Sequence, residues 1–277
     1  MGQSFSSLGA KPFAVLPWKV LRSVGNHDCK ATMGDVDLTL LDLLVVLDLG
    51  GFELGPFLNR IGLLSSLEEV GVRVVNRVAS IMRMRDKAEC LRRLVSAGLP
   101  VPTTVITESI EDAARFARTH VPCVLKPLSG FGGTGVQLIE RQFDIDNIYD
   151  FLKYHSQVFG RGAYLLQEYV SNSGFDIRVL VCGGEVIGSM QRVGQGGLVT
   201  NIHSGGVPRR NTIDVDELAL EAAASVGGDL VGVDIIPDQE GKLWLLEANA
   251  TPGWAGLQTV CEHSLSDAIA RKLLSVS

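Results

Sequence analysis

The chain has 277 residues, 46% hydrophobic and 20% charged, and its net charge of −6 with scattered Lys and Arg excludes an electrostatic footprint for nucleic acid or an anionic membrane. Its five cysteines form no C-x-x-C pair, which argues against a disulfide framework or a cysteine zinc site and favours a reducing compartment. No apolar run reaches membrane-spanning length. We therefore expect a cytoplasmic homo-oligomer that acts on small molecules or peptides, with neither nucleic acid nor membrane as partner.

The first third of the chain predicts a small parallel α/β lobe. The apolar segment 13–21 predicts one strand, and the nearly continuous Leu and Val of 37–49 predict a strand buried on both faces. Apolar residues at helical spacing over 55–71 predict a helix ended by a glycine, and 72–75 predict the next strand. Strand, helix and strand in this order predict parallel pairing.

The remaining two-thirds predicts an α+β region. Four helical patterns occur there: 85–99, 109–120, 144–158 and 214–227. Short, turn-bounded, β-rich segments alternate with them: 103–106, 121–128, 136–139, 164–170, 175–181, 185–193, 229–237 and 243–248. Strands joined by hairpins predict antiparallel sheet. The predicted domains are an α/β N-terminal lobe, 1–84, and an α+β domain, 85–277, divided into 85–170 and 171–277.

A glycine-rich segment follows Lys126. Gly130, Gly132 and Gly135 satisfy G-x-G-x-x-G, but a strand-like segment, 136–139, follows where a dinucleotide-binding fold has a helix. A Walker loop would end in Gly-Lys-Ser/Thr, which this segment lacks. The remaining interpretation is a flexible hairpin. Its backbone N–H groups can cover phosphates, while Lys126 offsets the charge of those phosphates. Taken alone, the pattern fits equally well a mobile hairpin that binds no ligand.

A second motif places oxygen ligands near the C-terminus. Glu247 and Asn249 are two residues apart on a predicted strand, so their side chains share one face. The turn 237–241 would bring Asp234, which has Val and Ile neighbours, opposite this strand. Because an unpaired carboxylate is costly in apolar surroundings and these groups suit a hard cation, the motif predicts magnesium. The alternative is a carboxylate satisfied by a nearby arginine or by backbone amides.

Further polar residues occur in a fixed order. The segment 167–169, Gln-Glu-Tyr, ends an apolar strand, and Asp176 and Arg178 share one face of the next strand. Arg192 and Asn201 follow in a glycine-rich stretch. Each could be an ordinary surface residue, so their order carries the information.

Taken in order, the motifs resemble the ATP-grasp fold and, within it, the RimK-like amino-acid ligases, most of which add glutamate. Seven blocks carry the resemblance: Arg85-Asp86-Lys87, Lys126 with its glycine segment, Gln167-Glu168-Tyr169, Asp176-Ile177-Arg178, Thr200-Asn201-Ile202-His203, Gly232-Val233-Asp234 and Glu247-Ala248-Asn249. The resemblance covers about residues 40–258. It implies an α+β ATP-grasp domain in which two antiparallel-rich subdomains enclose ATP.

The resemblance also implies a role for each block. ATP would be bound by Lys87, Lys126, Gly130, Gly132, Gly133, Gly135, Gln167, Glu168, Tyr169 and Asp176. Within that set the lysines would bind the phosphates, Glu168 and Tyr169 the adenine, and Asp176 the sugar. Mg²⁺ or Mn²⁺ would be held by Asp234, Glu247 and Asn249, and the transferred phosphate and reacting carboxylate would face Arg178, Arg192 and Asn201.

The implied reaction is ATP-dependent joining of an amino acid, most often glutamate, to a carboxylate through an acyl-phosphate, with release of ADP and phosphate. The segment 251–254 resembles members that glutamylate a tetrahydromethanopterin-type pterin; a deazaflavin cofactor and a protein or peptide C-terminus are alternatives. Relatives often carry arginines where this chain has Gln191 and Val199, so Arg192 is expected to contact the acceptor largely alone. His203 is either a proton carrier or structural. Alternatives of another class are a phosphotransferase and a non-catalytic ATP-binding regulator.

Overall fold

The computed structural model describes residues 1–25, 28–50, 53–128, 133–160, 162–194 and 205–275. Its helices are α1 Gly2–Ser6, α2 Leu54–Glu69, α3 Val78–Arg85, α4 Lys87–Ser96, α5 Ile110–Thr119, α6 Gln142–Asp146, α7 Ile148–His155, α8 Asp216–Val226, α9 Ala255–Gln258 and α10 Leu265–Ser275. Its strands are β1 Leu21–Gly25, β2 Asp28–Met33, β3 Val36–Asp37, β4 Leu43–Val45, β5 Arg73–Val75, β6 Thr104–Thr107, β7 Cys123–Lys126, β8 Gln137–Ile139, β9 Tyr164–Glu168, β10 Phe175–Cys182, β11 Glu185–Val193, β12 Val207–Arg210, β13 Leu230–Pro237 and β14 Leu243–Asn249.

The N-terminal lobe contains the predicted strand, helix and parallel strand. β4 and β5 pair in parallel, with Leu43 opposite Arg73, and α2 lies between them in the chain. An antiparallel sheet in the order β1-β2-β3 precedes this unit and was not predicted.

Two sequence predictions for this lobe are wrong. The segment 13–21 is not one strand, because Pro17 begins a 3-10 turn, Pro17–Lys19; proline lacks the N–H that a strand ladder needs but fits the first turn of a helix. Within the segment 37–49, only Asp37, at the end of β3, and β4 are in strands. The Asp37 carboxylate accepts the Thr39 N–H at 2.9 Å and starts a second 3-10 turn, Leu38–Leu40, so the apolar run bends before it pairs.

A four-stranded antiparallel sheet follows, in the order β6-β9-β7-β8. Small residues of α5 and larger ones of α7 pack against it, as Ala113, Ala117 and Leu152 do against Leu125 and Leu166. The buried residues of this small core lie within 113–166, and Val105 and Ile110 pack against it. The Ser109 hydroxyl caps α5 by accepting the Asp112 N–H at 3.1 Å, which confirms the predicted helix start.

The second large sheet is antiparallel and has the order β12-β11-β10-β13-β14. Side chains alternate along its strands, so each face has its own environment. One face, including Ile177 and Val233, shares a core with α8, α4 and the N-terminal lobe. The other face packs Leu180 and Met190 under α9 and α10. Where α9 and α10 do not cover this face, its side chains are polar, and they form the candidate site.

The two large sheets are joined at the β13–β14 hairpin. The N–H of Leu245 donates to the carbonyl of Pro100 at 2.8 Å, and that of Gln239 donates to the carbonyl of Ser171 at 3.1 Å. Pro100 and Ser171 lie just before and just after the four-stranded sheet in the chain. The domain boundaries expected after residues 84 and 170 stay predictions; α4 shares its core with the five-stranded sheet. None of the described helices is both long and apolar enough to cross a membrane.

Candidate active site

Four charged side chains form what we call the ionic row: Asp176, Arg178, Arg192 and Asp234. Asp176 and Arg192 are cross-strand partners on β10 and β11, and Arg178 and Asp234 are partners on β10 and β13. The Arg192 guanidinium donates to Asp176 from Nε at 2.7 Å and from Nη2 at 2.5 Å, and its Nη2 lies 2.9 Å from Asp234 Oδ2. Arg178 donates to Asp234 through Nε and, at 2.9 Å, through Nη2.

Charge balance allows the ionic row to be buried. All four side chains are buried, and two guanidinium groups oppose two carboxylates. Burial alone would raise the pKa of Asp234, but Arg178 and Arg192 lower it to about 2. Burial acts to lower the pKa of Arg192, and the two carboxylates raise it above its ordinary value. The row is thus a fixed floor of paired charges, and the partners of Asp234 among the described residues are those of the alternative interpretation, a carboxylate satisfied by arginine.

Glu247 and Asn249 lie beside the ionic row, as their spacing predicted. In the β13–β14 hairpin Glu247 is opposite Asp234 and Asn249 is opposite Gly232, so all three predicted metal ligands share one face. The Glu247 side chain is 37% exposed and lies 3.9 Å from the Lys87 ammonium. Within the described residues no three His, Cys, Asp or Glu side chains form a metal cluster.

Two lysines from different elements meet Glu247 in one cleft. Lys87 begins α4, which Asp86 caps by accepting the Ala88 N–H at 2.9 Å, and Lys126 ends β7. The cleft is lined by Met84, Lys87, Cys90, Leu91, Lys126, Leu165, Gln167, Leu246 and Glu247. Burial, and secondarily Lys87, lower the pKa of Lys126 from 10.5 to about 8. Glu247, Asp234 and Asp176 act in the opposite direction on Lys126, so the cleft combines two ammonium groups with nearby carboxylates.

Gln167 holds the Lys126 side chain. Its Oε1 accepts a hydrogen bond from Lys126 Nζ at 2.6 Å, and its Nε2 donates to Thr104 Oγ1 at 2.9 Å. Thr104, which lies opposite Gln167 on β6, was missed at the sequence level. At the end of β9, the strand that carries Gln167, the N–H of Glu168 donates to the carbonyl of Thr103, and the N–H of Tyr169 donates to the carbonyl of Pro122. A backbone contact to adenine at Glu168 and Tyr169 would therefore use carbonyl groups.

Three predicted site residues, Gly130, Gly132 and Asn201, lie outside the described residues, as do Val199 and His203. The other end of the glycine segment is described. Gly133 and Gly135 have φ values of 79° and 77°, in the left-handed region that favours glycine. A turn closes between them and β8, because the Val136 N–H donates to the Gly133 carbonyl at 3.1 Å. The strands on either side of the segment, β7 and β8, pair antiparallel, with Cys123 opposite Ile139.

Comparisons with known proteins identify the family of this chain. The profile of the RimK-like ATP-grasp domain matches residues 84–274. The chain is 31% identical over 208 residues to the tetrahydromethanopterin:alpha-L-glutamate ligase of Methanocaldococcus jannaschii, covering 73% of this chain and 70% of that one. It is 34% identical over 202 residues to the ribosomal protein bS6–L-glutamate ligase of Salmonella paratyphi B, covering 70% and 65%. The ATP-grasp ligase PsnB complexed with minimal precursor has the same fold, with a TM-score of 0.76 at 20% identity over 99% of this chain and 93% of that one.

The fold and the matching profile define an ATP-grasp enzyme. The chain belongs to the RimK-like ATP-grasp family. The predicted family, the fold class and the activity of an ATP-dependent ligase that forms a C–N bond are confirmed. The family uses ATP and a divalent metal, and PsnB has also been solved with Mg and ADP.

Proposed function

We propose that this protein adds L-glutamate to a carboxylate acceptor, with Mg²⁺-ATP as phosphoryl donor, and that the acceptor is a small molecule of the tetrahydromethanopterin type. The observation that carries the proposal is the meeting of Lys87, Lys126 and Glu247 in one cleft beside the ionic row. Support for glutamate and for the acceptor comes from the names of the relatives in Methanocaldococcus and Salmonella.

The residues of the cleft fit the phosphates of a nucleotide. The Lys126 ammonium has a lowered pKa because it lacks water and lies near a second cation, so phosphate oxygens would stabilise its charged form. Lys87 faces the same space from α4. Gln167 fixes the Lys126 head group, so little rearrangement is needed when the anion arrives.

The donor set also fits a hard cation. The three hydrogen bonds that Asp234 accepts leave about one of its four lone-pair positions for a metal. Glu247 is half-exposed and shares its face with Asn249, so a carboxylate and an amide oxygen face the cleft together. Asp234, Glu247 and Asn249 would hold magnesium, which neutralises phosphate charge when bound.

The proposed reaction requires the protein to position the reactants and to offset charge, and it requires no protein nucleophile. Phosphoryl transfer from ATP turns the acceptor carboxylate into an acyl-phosphate, whose phosphate leaves when the amine attacks. Lys87 and Lys126 offset the charge that develops on the transferred group. Arg178 holds Asp234 in one orientation, and Arg192 holds Asp176, so the floor of the site does not reorganise during the step. The contacts of Asp176 with the sugar and of Arg178, Arg192 and Asn201 with the reacting groups are part of this proposal.

A peptide C-terminus is the second candidate acceptor. The bS6–L-glutamate ligase acts on a ribosomal protein, and PsnB was solved with a precursor peptide. Mass spectrometry of reactions with Mg²⁺-ATP, L-glutamate and either a reduced pterin carboxylate or a peptide with a free C-terminus separates these acceptors. We expect ADP release and the mass gain of one glutamyl residue on the pterin. If the peptide gains this mass instead, the acceptor is a peptide C-terminus and not a pterin.

Two variants connect the product to the cleft. Glu247→Gln removes a charge from the proposed metal site, and Glu240→Gln makes the same change on an exposed residue of the adjoining hairpin turn. Only the first should abolish the adduct. ADP release without an adduct on any carboxylate acceptor would favour a phosphotransferase. Nucleotide binding with no turnover would favour the non-catalytic regulator.

A further inference from the structure

The base of the glycine-rich segment is held closed by contacts that the proposed chemistry does not by itself require. Gly135, at the far end of the segment, packs so tightly that a Cβ there would lie 2.7 Å from Pro127 Cγ and 2.8 Å from Phe159 Cγ. Pro127 follows Lys126 directly in the chain. The two ends of the segment are therefore in contact, and Phe159 forms the third wall of that contact.

His155 supplies the polar contact at this point. It is the last residue of α7, is 1% exposed, and its Nε2 lies 2.7 Å from the Gly135 carbonyl oxygen. Because a carbonyl only accepts, Nε2 carries the hydrogen in this bond. Burial also lowers the pKa of His155, so the ring is neutral and Nδ1 is a bare acceptor. Nδ1 is buried and has no hydrogen-bond partner within the described residues.

This arrangement is costly for a purely structural role. A buried acceptor without a partner loses its hydration and gains nothing in return. An aromatic side chain of similar size would fill the same space and keep the contact with Phe159, whose ring centroid lies 5.3 Å from that of His155. What histidine adds is the hydrogen bond to Gly135. The helix after it widens into a π-helical turn, Ser156–Gly160, a rare conformation found often at functional sites, and this turn carries Phe159.

We propose that His155 is a positioning residue for the phosphate-binding end of the nucleotide site. Its Nε2–H holds Gly135 against Pro127 and thereby fixes the position of Lys126 at the end of β7. The inference rests on the proposed function in one respect, that Lys126 binds the phosphates. The contacts link His155 to Gly135 and Gly135 to Pro127, which follows Lys126 in the chain. Gln167 then accepts the hydrogen bond from the Lys126 ammonium.

Three substitutions separate the hydrogen bond from the packing. Gln places an amide nitrogen near the position of Nε2, Asn places it nearer Nδ1, and Phe keeps the ring without any donor. We expect His155→Phe and His155→Asn to weaken binding of Mg²⁺-ADP about tenfold, and His155→Gln to stay within about threefold of wild type, because only Gln keeps a donor for the Gly135 carbonyl. The kcat at saturating ATP should change less than the KM for ATP, and the KM for the acceptor should not change.

The readouts include two that need no turnover. Hydrogen exchange of the ligand-free protein should speed up at the Val136 amide in the Phe and Asn variants, and ¹⁵N spectra of wild type should show a neutral ring protonated at Nε2. His120→Asn is the control, since His120 stacks on Phe116 at the end of α5, in the same part of the fold.

Calorimetry with Mg²⁺-ADP distinguishes the two possible failures. If wild type binds no nucleotide, the proposed function fails first. If wild type binds and the folded Phe variant binds equally well, the positioning role is overturned. Should the Phe variant not fold, equal affinities of the Gln and Asn variants overturn it as well, because those two differ in where the donor lies.

Discussion

Nucleotide binding at pH 8 should take up protons from solution, and Lys126 should be the group that takes them up. In the free protein burial and Lys87 lower its pKa from 10.5 to about 8, so about half of the molecules hold it neutral at that pH. Phosphates beside the ammonium would return the pKa toward its ordinary value. The difference between these two pKa values corresponds to roughly 3 kcal/mol, so nucleotide should bind the protein with charged Lys126 a few-hundredfold more tightly than the protein with neutral Lys126. Uptake should be about half a proton per nucleotide at pH 8 and about a tenth at pH 7.

Isothermal titration of Mg²⁺-ADP in two buffers of different ionisation enthalpy measures this uptake directly. Lys126→Met should abolish it and weaken binding, whereas Lys153→Met, at an exposed position of α7, should leave both unchanged. Affinity should fall up to tenfold per pH unit above pH 8, because the neutral form must be protonated before it binds. Equal heats in the two buffers at pH 8, or uptake that persists in Lys126→Met, would refute the electrostatic account of the cleft.

The same lysine affects the stability of the ligand-free fold. Its folded pKa lies below the unfolded one, so the unfolded chain holds more protons between pH 8 and 10.5. The penalty is therefore complete below pH 8 and is relieved as the pH rises, and the free energy of unfolding gains up to roughly 3 kcal/mol from this group. Urea denaturation of wild type and Lys126→Met across this range isolates the contribution as the difference between the two proteins.

Three further substitutions test other parts of the site. Glu247→Ala should lower turnover by orders of magnitude without unfolding the protein, and near wild-type ADP production would contradict a metal role. From the sequence, Arg192 was expected to contact the acceptor, but in the structure it holds Asp176 through two atoms. Because one ammonium cannot replace that contact, Arg192→Lys should lower the free energy of unfolding in urea by about 3 kcal/mol; a loss under about 0.5 kcal/mol would contradict a structural role for the ionic row. Gly135→Ala puts a Cβ into Pro127 and Phe159 at positive φ, so it should weaken Mg²⁺-ADP binding in calorimetry; unchanged affinity would show that the segment's base does not matter.

Local patterns predicted the parts of the fold that local forces determine. The helix cap at Ser109, and the β13–β14 hairpin with Glu247 opposite Asp234, follow from capping chemistry, side-chain alternation and a short turn. The strand predicted over 37–49 failed because one carboxylate, Asp37, made a local hydrogen bond that competes with a ladder.

Contacts between distant segments were beyond such patterns. Arg178 and Asp234 are 56 residues apart and pair only because β10 lies between β11 and β13, an order that the sequence does not display. Lys126 and Glu247 entered the same site through the resemblance, since no spacing rule connects them. The edge strand β12 was missed because its four residues include a proline and two arginines.

His155 could have been found from the sequence. Ile148, Leu152 and His155 follow helical spacing, and all three are buried. A histidine at a position where the pattern asks for an apolar residue indicates a buried polar contact, because burying it without a partner is unfavourable. The pattern indicates that such a partner exists; only the fold identifies it as the carbonyl of Gly135.

The separate core of the four-stranded sheet has a mechanical consequence. The buried residues of this core lie within 113–166 and belong to neither of the other two cores, so a rotation of this sheet as a jaw would leave both of those cores closed. The pivot of such a rotation would be the β13–β14 hairpin, whose backbone N–H groups donate to the carbonyls of Pro100 and Ser171 on either side of the sheet. Lys126 would travel with the jaw, while Lys87 and Glu247 stay on the stationary half. Opening would therefore pull the two phosphate-binding lysines apart and let product leave, at the cost of a few contacts across the cleft rather than of any buried core.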